Sequence, residues 1–236
     1  MNNIEKRRLK LSLIVPVFFL TAMWIVKFYE YSFDLNFARY GIYPRKINNL
    51  TGILLSPFIH GSFDHLISNS APFLILGSSL FYFYKESAYK VFLLIWILSG
   101  FWVWIAGRPA YHIGASGMVY GFASFIFFSG LLNKNKSLLS ISLLVVFLYG
   151  SMVWGVLPLK PHISWESHLL GVITGLILSF IFLPEKATPL QDDKKATDFL
   201  YDFSSPKSFY DNSSEIVYHF KEKNKKLKNN ETLEEF

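Results

Sequence analysis

Six apolar runs, five of them with roughly the 17 to 25 residues needed to cross a bilayer's hydrocarbon core, make this chain read as a bundle of membrane-spanning helices. They fall at residues 11–26, 62–84, 88–106, 114–132, 137–157 and 165–183. Charged residues are only 17% of the chain, against roughly 25% in soluble domains. Of the 40 charged side chains, 20 lie in residues 185–236, so the first 184 residues are more apolar than the average suggests.

The runs divide the chain into a short basic N-terminus (1–10), an all-α membrane domain (11–184) and a polar tail (185–236) that reads as disordered. Lys6, Arg7, Arg8 and Lys10 precede the first run and no small-residue cleavage site follows it, which predicts an uncleaved anchor with its N-terminus in the cytoplasm. Six spans then return the C-terminus to the same side. Residues 33–58, with Arg39, Tyr40, Tyr43, Pro44 and Arg45, are too polar to span and are expected at the outer interface. The net charge of +6 does not point to nucleic acid, because the tail holds 9 Lys against 11 acidic residues and the excess sits in short loops. There it acts as a topology signal. With no cysteine, disulfides, thiolate zinc sites and a cysteine nucleophile are excluded.

Three of the predicted spans run from outside to inside, and each carries its unusual polar residues in its first turns. These are His65 and Asn69, then Ser116, then Ser164 and His168. Such groups are costly in hydrocarbon and mark a functional site by default. His65 and Asn69 are four apart and share a helix face, while Ser164, His168, Gly171 and Gly175 form one stripe. Gly117 and Gly121 give the Ser116 helix a small-xxx-small face, which lets two backbones approach closely. Ser116 and His168 are thereby expected within hydrogen-bond reach, a nucleophile with its base. The Ser116 N–H, Asn69 and His65 are candidate donors to an oxyanion.

These residues resemble the rhomboid intramembrane serine proteases. The resemblance lies in Gly114-Ala115-Ser116-Gly117, in His60-Gly-Ser-Phe-Asp-His65-Leu-Ile-Ser-Asn69, and in His168-Leu-Leu-Gly171 with Gly175, over about residues 9 to 184. It implies a Ser116–His168 dyad without an acidic third member, an oxyanion site of His65, Asn69 and the Ser116 amide, and Tyr120 packed on the His168 ring. It further implies that His60 supports the first loop. Two departures stand out: the family's Trp-Arg pair in the first loop is replaced by Phe37-Ala38-Arg39-Tyr40 and Tyr43-Pro44-Arg45, and Ser167 stands where Ala is usual.

The expected protein is thus a six-helix rhomboid-like serine endopeptidase of the cell membrane, placed in a bacterium by its compact build, cutting transmembrane proteins. No metal or cofactor is expected: Asp64 and Glu166 stand beside His65 and His168, but no His-Glu-x-x-His occurs. The competing reading is a catalytically silent relative that grips membrane helices, which would have no need for Ser116 or His168. His112, His162 and His219 read as loop or boundary residues, and the many Phe and Trp as lipid-facing or interfacial.

Overall fold

In the computed structural model the described residues are 3–148, 155–158 and 164–182. They belong to a unit spanning Met1–Thr197; the second unit, Asp198–Phe236, and the whole tail at 185–236 lie outside them, as do His162 and His219. Among the described residues there is no strand beyond one isolated bridge, and the helices are α1 (Asn3–Ser32), α2 (Gly52–Leu55), α3 (Phe63–Phe83), α4 (Ala88–Ala106), α5 (Ser116–Leu132), α6 (Lys136–Leu148) and α7 (Trp165–Ile181). By length and composition α1, α3 and α4 can cross a membrane, and α5, α6 and α7 are shorter apolar helices.

Two helix starts are set by local structure. Helix α1 begins at Asn3, so residues 3–10 are helical and continuous with the first apolar run. Within these turns Arg8 is buried against α3: its guanidinium donates to the Tyr82 carbonyl and stacks 4.3 Å from that ring's centre. Helix α5 starts at Ser116 and not at 114, because Gly114 has φ +101°, a left-handed conformation that a helix cannot use.

Helix α5 is the centre of the bundle. Every residue from Ser116 to Ile126 is buried, as expected of a helix apolar on all sides. Around it the aromatic residues form a core: Phe19 of α1 meets Phe58, Phe73, Phe92 and Trp96, and Phe122 of α5 meets Phe73 and Phe92. These rings depart from the expectation that Phe and Trp are lipid-facing or interfacial, whereas Phe18, Phe28, Phe33, Phe101 and Trp102 are exposed in keeping with it. At the far end Tyr84 donates to Ser129 Oγ at 2.8 Å, joining α3 to α5.

The segment between α1 and α3 contains only short helical turns, and it is held at many points. Ile42 and His112 exchange backbone hydrogen bonds of 3.0 and 2.9 Å, and the Gly114 N–H donates to the Ser56 carbonyl at 2.8 Å. Two indoles of α4 reach the same segment, Trp96 donating to the Ile53 carbonyl (3.2 Å) and Trp104 to that of Lys46 (3.0 Å). These bonds anchor the segment although the usual Trp-Arg pair is missing. A buried ion pair fixes its entry: Lys27 Nζ lies 2.9 Å from Glu30 Oε2 and 3.4 Å from the Gly61 carbonyl, while Glu30 Oε1 accepts the Phe37 N–H at 2.8 Å.

Candidate active site

Glycines bring the two central side chains together. A Cβ on Gly171 would overlap the Gly117 carbonyl, and one on Gly175 would overlap the Gly121 carbonyl and stand 2.8 Å from the Phe125 nitrogen. With hydrogen in those places, α7 lies backbone to backbone against α5, and Ser124 adds a bond across the seam to the Val172 carbonyl at 2.7 Å. At the end of that seam His168 Nε2 stands 2.8 Å from Ser116 Oγ. Both residues are buried, at 8% and 9% exposure. The Tyr120 ring lies parallel to the imidazole, with centres 4.2 Å apart and planes 12° from coplanar.

The other predicted residues gather around Gly114. A Cβ there would stand 2.7 Å from His65 Cε1, 2.8 Å from its Nε2 and 3.8 Å from Asn69 Nδ2, so both α3 side chains border the turn that leads into Ser116. Ser62 caps α3 by accepting the His65 N–H at 3.1 Å, which fixes the first turn that carries His65. Asn69 Nδ2 donates one hydrogen to the His65 carbonyl at 2.9 Å and has a second to give. Among the described residues no hydrogen bond joins His65 or Asn69 to Ser116 directly; what they share is the space at Gly114.

His60 backs this wall, its ring edge-on to His65 with centres 5.0 Å apart. Neither of its ring nitrogens meets hydrogen-bond geometry. Burial, then the charge of His65 and of Lys27, push its pKa down to about 3, with the Phe58 carbonyl pulling weakly the other way. Near pH 6.5 the unfolded imidazole binds a proton that the folded one refuses, so stability is present above that pH and is lost as pH falls toward 3. Thermal unfolding followed from about pH 8 down to about pH 5 is expected to show a loss of up to ~1.4 kcal/mol per pH unit from this group. The slope should be shallower in His60→Gln.

Two partners were not foreseen from sequence. The carbonyl of Gly155 lies 2.7 Å from His168 Nδ1; a lone glycine at the end of an apolar run carries no signal of such a contact. Ser164, placed by spacing on the His168 stripe, turns instead to His112: their side chains are 2.5 Å apart, Ser167 Oγ is 2.6 Å from Ser164 Oγ, and His112 Nε2 is 3.0 Å from the Arg108 carbonyl. Burial lowers the His112 pKa, with the Arg108 carbonyl and then Glu166 opposing and the Arg108 charge adding to the shift. Donors and acceptors then run in one direction, Ser167 to Ser164 to His112 to Arg108. His112, read as a boundary residue, ties the Gly114 turn to the start of α7, and Ser167 has a use that Ala would lack. Glu166 Oε1 pairs with Arg108 Nε at 3.5 Å.

A family profile described as Rhomboid domain matches residues 48–185, more than half of the chain. An uncharacterized protein of Mycobacterium tuberculosis is 31% identical over 156 residues, 62% of this chain and 65% of that protein. One from Mycobacterium leprae is 28% identical over 180 residues, covering 72% and 71%. A protein of Acanthamoeba polyphaga mimivirus, provisionally named a rhomboid protein, is 26% identical over 147 residues, 57% of this chain and 77% of its own length. The match thus spans just under two thirds of the Mycobacterium tuberculosis relative.

Proposed function

Because this chain belongs to the rhomboid family, we propose that it is an intramembrane serine endopeptidase that hydrolyses peptide bonds in or near transmembrane segments of other membrane proteins. Family and apolar helices make it a membrane protein. The fuller reading has six spans in the membrane domain, both termini and the tail in the cytoplasm, and residence in a bacterial cell membrane. The observation that carries the catalytic part is the 2.8 Å approach of His168 Nε2 to Ser116 Oγ under a stacked tyrosine.

In this mechanism Ser116 Oγ attacks the scissile carbonyl carbon while its proton passes to His168 Nε2. The carbonyl oxygen becomes an oxyanion, and the donors at hand are the Ser116 N–H, which lacks an intrahelical acceptor at the first residue of α5, the Asn69 amide and the His65 imidazole. Collapse breaks the C–N bond as His168 returns the proton to the leaving amine. Water then attacks the acyl-enzyme, His168 takes its proton, and Ser116 is regenerated. Water is the only co-reactant; no metal or cofactor enters the cycle.

The test pairs cleavage of reporters bearing one transmembrane segment with labelling of the intact chain by a fluorophosphonate. Cleavage together with label on Ser116 supports the reading. Failure of both across a reporter panel moves it to a silent helix-binding relative. Within the active reading, Asn69→Ala is expected to lower kcat by about 10² to 10³ with KM little changed, since the amide serves an oxyanion that exists only on the reaction path. Steady-state kinetics in detergent or nanodiscs checks this, and a rise in KM alone would instead make Asn69 a substrate-binding residue.

A further inference from the structure

His168 has a neighbour on each ring nitrogen: Ser116 Oγ at 2.8 Å from Nε2, and the Gly155 carbonyl oxygen at 2.7 Å from Nδ1. A carbonyl oxygen only accepts, so the second bond requires the hydrogen to sit on Nδ1. Nε2 then presents its lone pair to the Ser116 hydroxyl. Of the two neutral tautomers, that is the one able to take the serine proton.

Among the described residues nothing else does this. Glu166, the acid on α7, pairs with Arg108, and Tyr120 meets the imidazole by its face, leaving the in-plane directions of both nitrogens open. The space around Gly155 agrees. A Cβ at this position would overlap the Tyr120 hydroxyl and stand 3.0 Å from His168 Nδ1. Only glycine lets the main chain come this near the imidazole while Tyr120 keeps its place.

We infer that Gly155 is the third member of the site, a positioning residue whose main-chain carbonyl orients His168 and fixes it as the Nδ1–H tautomer. A carboxylate in that role would bury a full negative charge in a low-dielectric bundle, and its desolvation would offset much of what it gave the imidazolium. A peptide carbonyl supplies the acceptor without that charge. The catalytic consequence rests on the protease reading, whereas the hydrogen bond and the tautomer do not.

The experiment converts the peptide bond between Gly155 and Val156 to an ester, by placing the α-hydroxy analogue of valine at 156 in the full chain. The carbonyl becomes a weaker acceptor and every side chain is retained. Reporter kcat and the rate of fluorophosphonate labelling at Ser116 are expected to fall about tenfold with KM unchanged, while an ester one bond later leaves both as they were. In parallel, nitrogen-15 NMR of histidine-labelled protein, with the His168 signal identified by its loss in His168→Gln, is expected to show Nδ1 protonated. Protonation on Nε2, or an ester variant that matches the unmodified chain in rate, overturns the inference. A chain that shows the Nδ1–H form yet neither cleaves nor labels upholds the hydrogen bond and sinks the protease reading instead.

Discussion

Ser116→Ala is expected to abolish reporter cleavage, by about 10⁴-fold or more, and to remove fluorophosphonate labelling completely. His168→Ala should do the same, and the double variant should be no worse than either single one, because nucleophile and base act as a unit. This non-additivity separates a dyad from two residues that merely support the fold. Ser116→Ala removes one buried oxygen and leaves His168 Nε2 without its 2.8 Å partner, a stability cost of about 1 to 3 kcal/mol. Ser116→Ala should therefore lower the melting temperature by about 2 to 12 °C and still leave a cooperatively folded chain, while activity disappears. Cleavage that survives Ser116→Ala would remove this serine from the mechanism.

Gly171→Val is expected to produce a large loss of stability, because the seam has no room for a side chain at this position. Its first added carbon would fall on the Gly117 carbonyl, and backbone cannot swing aside as a flexible side chain can. Helix α7 must tilt away from α5, at a cost of about 3 kcal/mol or more, at the upper end of what overpacking does in cores. Because His168 and Ser116 sit on opposite sides of this seam, the same shift should separate them and end labelling. Ile173→Val, on the exposed side of α7, is the control and should change stability by about 0.5 kcal/mol or less. An unchanged melting temperature in Gly171→Val would mean that the helices do not approach as closely as their glycines allow.

What the sequence made legible was whatever repeats locally. Apolar runs gave the helices, residues 88–106 to the residue, and four-residue spacing on two helices gave the glycine seam, and with it the meeting of Ser116 and His168. Contacts without a local period stayed hidden. Gly155 meets His168 through its backbone, which no side-chain pattern encodes, and His112 reaches Ser164 across 52 residues of sequence. Which phenylalanines enter the core stayed hidden for a different reason. Phe is as compatible with lipid as with a protein core, so only the burial of α5 on every side distinguishes Phe122 and Phe125, which are fully buried, from Phe18, which is 75% exposed. Likewise, the missing Trp-Arg pair gave no hint that Trp96 and Trp104, from another helix, would hold the first loop.

The buried pair of Lys27 and Glu30 has a consequence for how the chain is made. The two charges are three residues apart on α1, so each finds its counter-ion without help from any later segment. A helix that enters the bilayer before the segments following it in the chain have been made would be opposed by an uncompensated ammonium near its end. Here neutralisation is built into one turn of α1. The Phe37 N–H and the Gly61 carbonyl, synthesised later, then dock onto a pair that is already complete.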